Sequence, residues 1–139
     1  MTVRQLSVFL ENKSGRLNEV LSVLASAKIN ITALTIADTT EYGILRMIVS
    51  DPSASLAILR EKGFSANLSE VIALELGTAS GSLSNILDCF SSRDISIEYL
   101  YAFSFGSKAV AVLRMDNREK ALEIIGEDGL KLITEEDLK

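Results

Sequence analysis

Two short segments carry residue types that hold a small anion. Asn12-Lys13-Ser14-Gly15-Arg16-Leu17 places an amide, two cations, a hydroxyl and a glycine directly ahead of a run with helical spacing. Thr78-Ala79-Ser80-Gly81-Ser82-Leu83 repeats the serine, glycine and leucine, with alanine and serine in place of the two cations. The first amides of a helix lack internal partners, and the helix dipole favours negative charge there. A glycine at that point has no side chain to hold a carboxylate away. Lys13 or Arg16 adds a charged contact, and Asn12 and Asn30 offer donors and acceptors to both ends of a zwitterion. The same residues also support a plainer reading, in which Ser14 and Ser80 cap helices and each glycine simply permits a turn.

Composition narrows the chemistry further. The 139 residues contain no histidine, which removes the side chain that titrates near pH 7 and every zinc or haem motif built on imidazole. No metal and no cofactor is expected. The single Cys89 falls within a helical apolar pattern and is expected as a buried thiol rather than a nucleophile. Net charge is -5, and residues after Glu70 carry all of the excess, with seven basic against twelve acidic side chains. That balance argues against nucleic acid as a partner. No apolar run is long enough to span a bilayer, and no basic stretch followed by an apolar one opens the chain. A cytoplasmic protein without a membrane partner is expected.

The elements that position the two segments follow from a repeat. At a constant offset of 66, Gly15 pairs with Gly81, Leu17 with Leu83, Leu21 with Leu87, Ile29 with Ile95, Leu56 with Leu122 and Gly63 with Gly129. A shared ungapped register marks two copies of one unit, expected at residues 1–69 and 70–139. Alternating Leu6, Val8 and Leu10 predict a strand over Val3–Glu11, and Leu17, Val20, Leu21 and Leu24 follow helical spacing. Ile29–Thr39 and Gly43–Ser50 read as strands around a turn, as do Ile95–Phe105 and Lys108–Met115 across Gly106-Ser107. Pro52 opens a second helix, Gly63 ends it, and Phe64 is expected to start the last strand.

Two helices interleaved with four strands give an α+β, ferredoxin-like βαββαβ sandwich in two tandem copies. Both faces of Gly43–Ser50 and Lys108–Met115 are mostly apolar, which predicts a sheet covered on both sides. A unit of this size is marginal alone, so the copies are expected to pack together and the chain to form a homodimer. Tyr99, Tyr101, Phe103 and Phe105 alternate on one face of one strand. Without basic residues to accompany them, they read as a packing surface, with the Tyr hydroxyls lining a ligand pocket at its rim.

With these motifs in place, the chain resembles a tandem pair of ACT domains, small ligand-sensing modules of amino-acid metabolism. The family's turn commonly reads Asp or Asn, any residue, Pro, Gly, any residue, Leu or Val. Asn12, Gly15 and Leu17 match it and Ser14 replaces the proline, while Asn30-Ile31 fits the family's opening of the second strand. In the second copy Gly81 and Leu83 match, but Thr78 replaces the acid or amide and Ser96 stands at the place of Asn30. The resemblance implies a non-catalytic regulator that binds an amino acid or related metabolite where two modules meet, and that acts in trans on a metabolic enzyme. Its candidate ligand residues are Asn12, Lys13, Ser14, Gly15, Arg16, Leu17, Asn30 and Ile31, with Thr78, Ala79, Ser80, Gly81, Ser82, Leu83 and Ser96 in the second copy. Two alternatives stand beside it: a ligand-free interaction scaffold, and an acylphosphatase-like hydrolase using Arg16.

Overall fold

The structure is a computed structural model that describes residues 2–39 and 41–139. It divides into two compact units, Arg4–Glu70 and Val71–Lys139, the latter joined by the first residues through Val3. The first unit contains β1 (Val3–Glu11), α1 (Arg16–Ser26), β2 (Ile31–Asp38), β3 (Tyr42–Val49), α2 (Pro52–Glu61) and the start of β4 (Ser65–Leu76). The second takes the rest of β4, then α3 (Ser82–Ser91), β5 (Ile97–Phe105), β6 (Lys108–Met115), α4 (Arg118–Asp128), the short β7 (Leu132–Ile133) and a 3-10 turn at Glu136–Leu138. The division falls inside β4, so no linker separates the units; one uninterrupted strand closes the first and opens the second.

Strands are ordered β2-β3-β1-β4 in the first unit and β5-β6-β4-β7 in the second. This is the ferredoxin-like βαββαβ order, used twice. Leu6 lies opposite Met47 and Val8 opposite Leu45, which puts alternate apolar residues on one side of the sheet. Against that side α1 lays Val20 and Leu24, α2 lays Leu59, and Phe64 closes the core. The second unit repeats the scheme with Ile72, Leu74 and Leu113 from the sheet and Ile86, Phe90, Ile124 and Ile125 from the helices. A helix with apolar residues at three- and four-residue intervals can bury one stripe only, and both units are built on that stripe. On the side away from the helices, Gln5, Ile48, Val110 and Val112 are also buried.

Several strands start later than the apolar runs predict, and one bond explains all of them. The N–H of Ile29 donates to Leu24 O (3.0 Å), Phe64 to Leu59 O (2.9 Å), Ile95 to Phe90 O (3.0 Å) and Leu130 to Ile125 O (3.0 Å). Each closes the preceding helix from the residue after a left-handed one. At two ends that residue is Gly63 or Gly129, but at the others it is Lys28 (φ 58°) and Asp94 (φ 63°). Ile29, Phe64 and Ile95 therefore complete helices, and the strands begin at Ile31, Ser65 and Ile97. The helix starts differ in kind. Asp51 and Asn117 cap α2 and α4, their side chains accepting from Ala54 N–H and Lys120 N–H, both at 3.1 Å. Among the described residues no helix is long and apolar enough to cross a membrane.

Cys89 is half-buried, where a buried thiol was expected. Burial, with the Asp128 carboxylate nearby, pushes its thiol pKa up and keeps it protonated. Tyr99, Tyr101, Phe103 and Phe105 lie opposite Arg114, Val112, Val110 and Lys108, so they share the side away from the helices, each half-buried.

Arg93, just past α3, grips Asp128 at the end of α4 with both guanidinium branches, at 2.8 and 2.9 Å. Those hydrogen bonds hold the Asp128 carboxyl below its ordinary value near 3.8. A depressed folded-state pKa contributes stability in full above the ordinary value, and that contribution disappears as pH falls through the folded one. Asp128→Asn should therefore lower the thermal midpoint at neutral pH, and the wild-type and variant curves should converge in strong acid. Thermal unfolding followed from pH 7 to pH 2 checks this.

Candidate functional site

The first glycine-bearing turn is built almost entirely from backbone bonds. As β1 ends, Asn12 N–H donates to Glu41 O (3.1 Å), Lys13 N–H to Glu11 O (2.8 Å) and Arg16 N–H to Lys13 O (3.3 Å). The cap of α1 is Gly15 itself, at φ 86° and ψ -10°, and no side chain caps the helix. Ser14 is exposed and does not serve as the cap that the plainer reading gave it. A Cβ added to Gly15 would meet nothing within 4 Å, so the glycine itself is uncrowded. The helical amides of Leu17 and Asn18 lie in that first turn, where no upstream carbonyl is in place to accept them. Asn12 turns its amide onto Thr39 O (3.4 Å), and Lys13 pairs with Glu11 (3.0 Å) on the surface. The lysine holds the Glu11 carboxyl below its ordinary range.

Arg16 is the side chain that joins this turn to the rest of the unit. Its Nη1 donates to Glu19 (2.8 Å), and its guanidinium lies 5.0 Å from the centre of the Phe64 ring. Its Nε–H is buried with no hydrogen-bond partner. Such an unmet donor costs about 1–3 kcal/mol. Beside it opens a cavity of about 390 Å³ lined by Phe9, Glu11, Arg16, Tyr42, Gly63, Phe64 and Ser65. These residues come together because β1 ends, and α1, β3 and β4 begin, at one end of the sheet; Glu11 lies directly opposite Tyr42. A second cavity of about 400 Å³ flanks Arg16 from the side of Gly15, Asn18 and Lys62.

The second turn keeps the backbone and changes the chemistry. Gly81 caps α3 at φ 85°, again without a side-chain cap, so Ser80 does not cap either. Thr78, Ala79 and Ser80 are exposed. Ser82, at the place of Arg16, folds its hydroxyl back to donate to Ala79 O (2.7 Å). A Cβ added to Gly77 would meet that hydroxyl at 2.9 Å, so Ser82 closes the turn on itself. Where the first unit has Phe9, Tyr42 and Ser65, the second has Glu75, Lys108 and Lys131 at the same offset. Lys108 and Lys131 pair with Glu75 at 3.5 and 3.3 Å. Asp137, held below the carboxylate range by Thr134 and then by both lysines, adds to that cluster.

Asn30, Ile31 and Ser96 lie elsewhere. Asn30 N–H donates to Ser50 Oγ (3.0 Å) and Ser96 N–H to Asp116 Oδ1 (3.1 Å), each closing the far end of a hairpin. Ile31 pairs with Val49, whereas Tyr42 pairs with Glu11, so within the first unit Asn30 stands a full length of β3 from Asn12. At about 3.3 Å per residue that is roughly 25 Å. Leu17, Leu83 and Ile31 pack against the cores. Phe9, Glu11, Tyr42, Phe64 and Ser65 were not singled out by their types, but all except Phe64, whose counterpart is Leu130, differ in polarity from Glu75, Gly77, Lys108 and Lys131 at the same offset, and that departure from the repeat is the signal they carry.

Two βαββαβ units that share one strand, each with a glycine-opened helix start, define a tandem ferredoxin-like protein. The chain belongs to the ACT domain pair family, which matches residues 1–139. It is similar to protein BT0572 from Bacteroides thetaiotaomicron, whose crystal structure superposes with a TM-score of 0.93 at 40% identity over 99% of this chain and 96% of that one. The fold also matches the regulatory subunit of aspartate kinase from Thermus thermophilus, with a TM-score of 0.60 and 15% identity over 89% and 91% of the two chains. The corresponding subunit from Thermus flavus gives 0.59 at 16% identity, over 89% and 90%. No curated protein matches the chain in sequence.

Because Gly15 is open to solvent yet left-handed, alanine there meets no clash and is penalised through φ alone. Gly15→Ala should cost about 1–2 kcal/mol, and Gly81→Ala about the same. Urea denaturation monitored by circular dichroism measures both.

Proposed function

We propose that the chain is a non-catalytic regulator that binds an amino acid or related metabolite at its first turn and acts in trans on a metabolic enzyme. Residues 1–69 and 70–139 serve as its two ACT-like domains. The observation that carries this reading is the start of α1 at Gly15, which no side chain caps, with the cations Lys13 and Arg16 on either side of it in sequence. Helix amides without partners, a local positive end and a nearby guanidinium suit a carboxylate. ACT domains are regulatory modules, and the aspartate kinase subunits that share this fold are regulatory parts of an enzyme.

Regulation requires that the ligand bind two states with different affinities. The proposed assembly is a homodimer whose contacts with the enzyme change on binding. The second turn plays the structural part: Ser82 bonds to its own turn, and the residues beside it neutralise one another.

Calorimetry of the whole chain against the standard amino acids should give heat for at least one of them. Asn12→Ala should weaken that binding with an unchanged circular dichroism spectrum. Binding that is indifferent to this change places the ligand elsewhere, and no heat from any amino acid favours the scaffold.

A further inference from the structure

The first unit's cavity has a composition that narrows the ligand. Three of its walls are aromatic: Phe9, Tyr42 and Phe64. Phe64 is 9% exposed and fixed, whereas Phe9 is 47% and Tyr42 54% exposed. Only four large apolar side chains among the described residues are exposed to this degree, and two of them face this one cavity. Apolar surface left bare around a concave opening marks a place where something apolar binds.

The polar lining has two signs. Glu11 is held by a surface pair with Lys13, in which both side chains are more than half exposed (52% and 71%). Such a pair is weak and readily exchanged for another ammonium. Arg16 gives Nη1 to Glu19 and leaves Nε–H without an acceptor. One carboxylate and one guanidinium at the mouth of an aromatic cavity match the two charges and the side chain of an aromatic α-amino acid.

The second unit provides an internal control. At the same offset Phe9 becomes Glu75, Glu11 becomes Gly77, Arg16 becomes Ser82, Tyr42 becomes Lys108 and Ser65 becomes Lys131. The aromatic walls and the paired charges are gone, and Glu75 instead neutralises Lys108 and Lys131. The same backbone thus carries a self-satisfied surface in one copy and an unsatisfied one in the other.

We propose that the cavity of the first unit binds one free aromatic amino acid per chain, with its carboxylate on Arg16, its ammonium on Glu11 and its ring against Phe9, Tyr42 and Phe64. This rests on the sensor reading above and names its ligand class. Aromatic rings gain from edge and offset contact with one another beyond the area they bury, which favours an aromatic over an aliphatic guest.

The test is calorimetry of the full chain with phenylalanine, tyrosine and tryptophan against glycine, alanine, leucine, aspartate and lysine. The aromatic set should bind with a stoichiometry of one per chain and roughly tenfold or more tighter than the rest. The half-molecules 3-phenylpropanoate and 2-phenylethylamine should each lose a similar factor, since each lacks one charge. Phe9→Glu combined with Tyr42→Lys installs the residues that the second copy already carries in this fold, and should abolish aromatic binding with the thermal midpoint retained. Tyr42→Ala, which should weaken binding severalfold, serves if the double variant fails to fold. Tighter binding of a non-aromatic amino acid, or aromatic binding left unweakened by Tyr42→Ala, overturns the ligand class and leaves the sensor reading standing. Silence from all eight overturns the ligand class, and silence from the full standard set overturns the sensor reading with it.

Discussion

Two residues at φ near +85°, Gly15 and Gly81, set the conditions for the turn between the first strand and first helix of each unit. A strand that must hand over to a helix within four or five residues has to reverse, and the left-handed conformation does so in a single step. The same step puts glycine at the cap position, where a serine or aspartate side chain would otherwise fold over the first amides. The other two helices show the contrast, since Asp51 and Asn117 cap them in the ordinary way. Both glycine-capped helices follow the first strand of their unit, and each leaves an open helix start where that strand ends. The openness is a property of the backbone, common to both copies.

What the copies do with that opening is decided by side chains. In the second unit the hydroxyl of Ser82 returns to its own turn, and two lysines share Glu75. Every charge there has a partner supplied by the chain. In the first unit Arg16 is drawn over Phe64, one of its donors has no acceptor, and two aromatic side chains stand half bare beside it. Polar groups that are buried without partners and apolar groups that are exposed without cover are both unfavourable in the free protein. Their presence at one location, and their replacement by a self-neutral cluster at the equivalent location, is what distinguishes the two copies.

The ends of the helices tie this arrangement to the cores. In all four, the residue after a left-handed one sends its N–H back five residues, which fixes where the following segment starts. Phe64 is held in this way to Leu59, so the ring beneath Arg16 is anchored by the backbone as well as by the core it enters. The guanidinium therefore rests on a fixed platform, although its own contacts with Glu19 are at the surface.

Periodicity and repetition made most of the fold legible. Alternation of two and spacing of three and four are local properties, and the constant offset of 66 carried the assignment of one unit to the other. The two glycine turns and their open helix starts were legible for the same reason, because Gly15 and Gly81 act within their own few residues. Lys28 and Asp94 in left-handed conformation were not legible, since nothing in their types announces it; the closing bonds from Ile29 and Ile95 hold them there. Neither was the cavity. Phe9, Arg16, Tyr42 and Phe64 are spread over 56 positions of the chain, and only the pairing of β1 with β3 and the return of β4 beside β1 bring them to one end of the sheet. Local pattern determines which residues lie on a strand or helix, but convergence depends on register between distant strands. Asn12 and Asn30 look equally suited to a ligand by type, and that same register sets them at opposite ends of one strand.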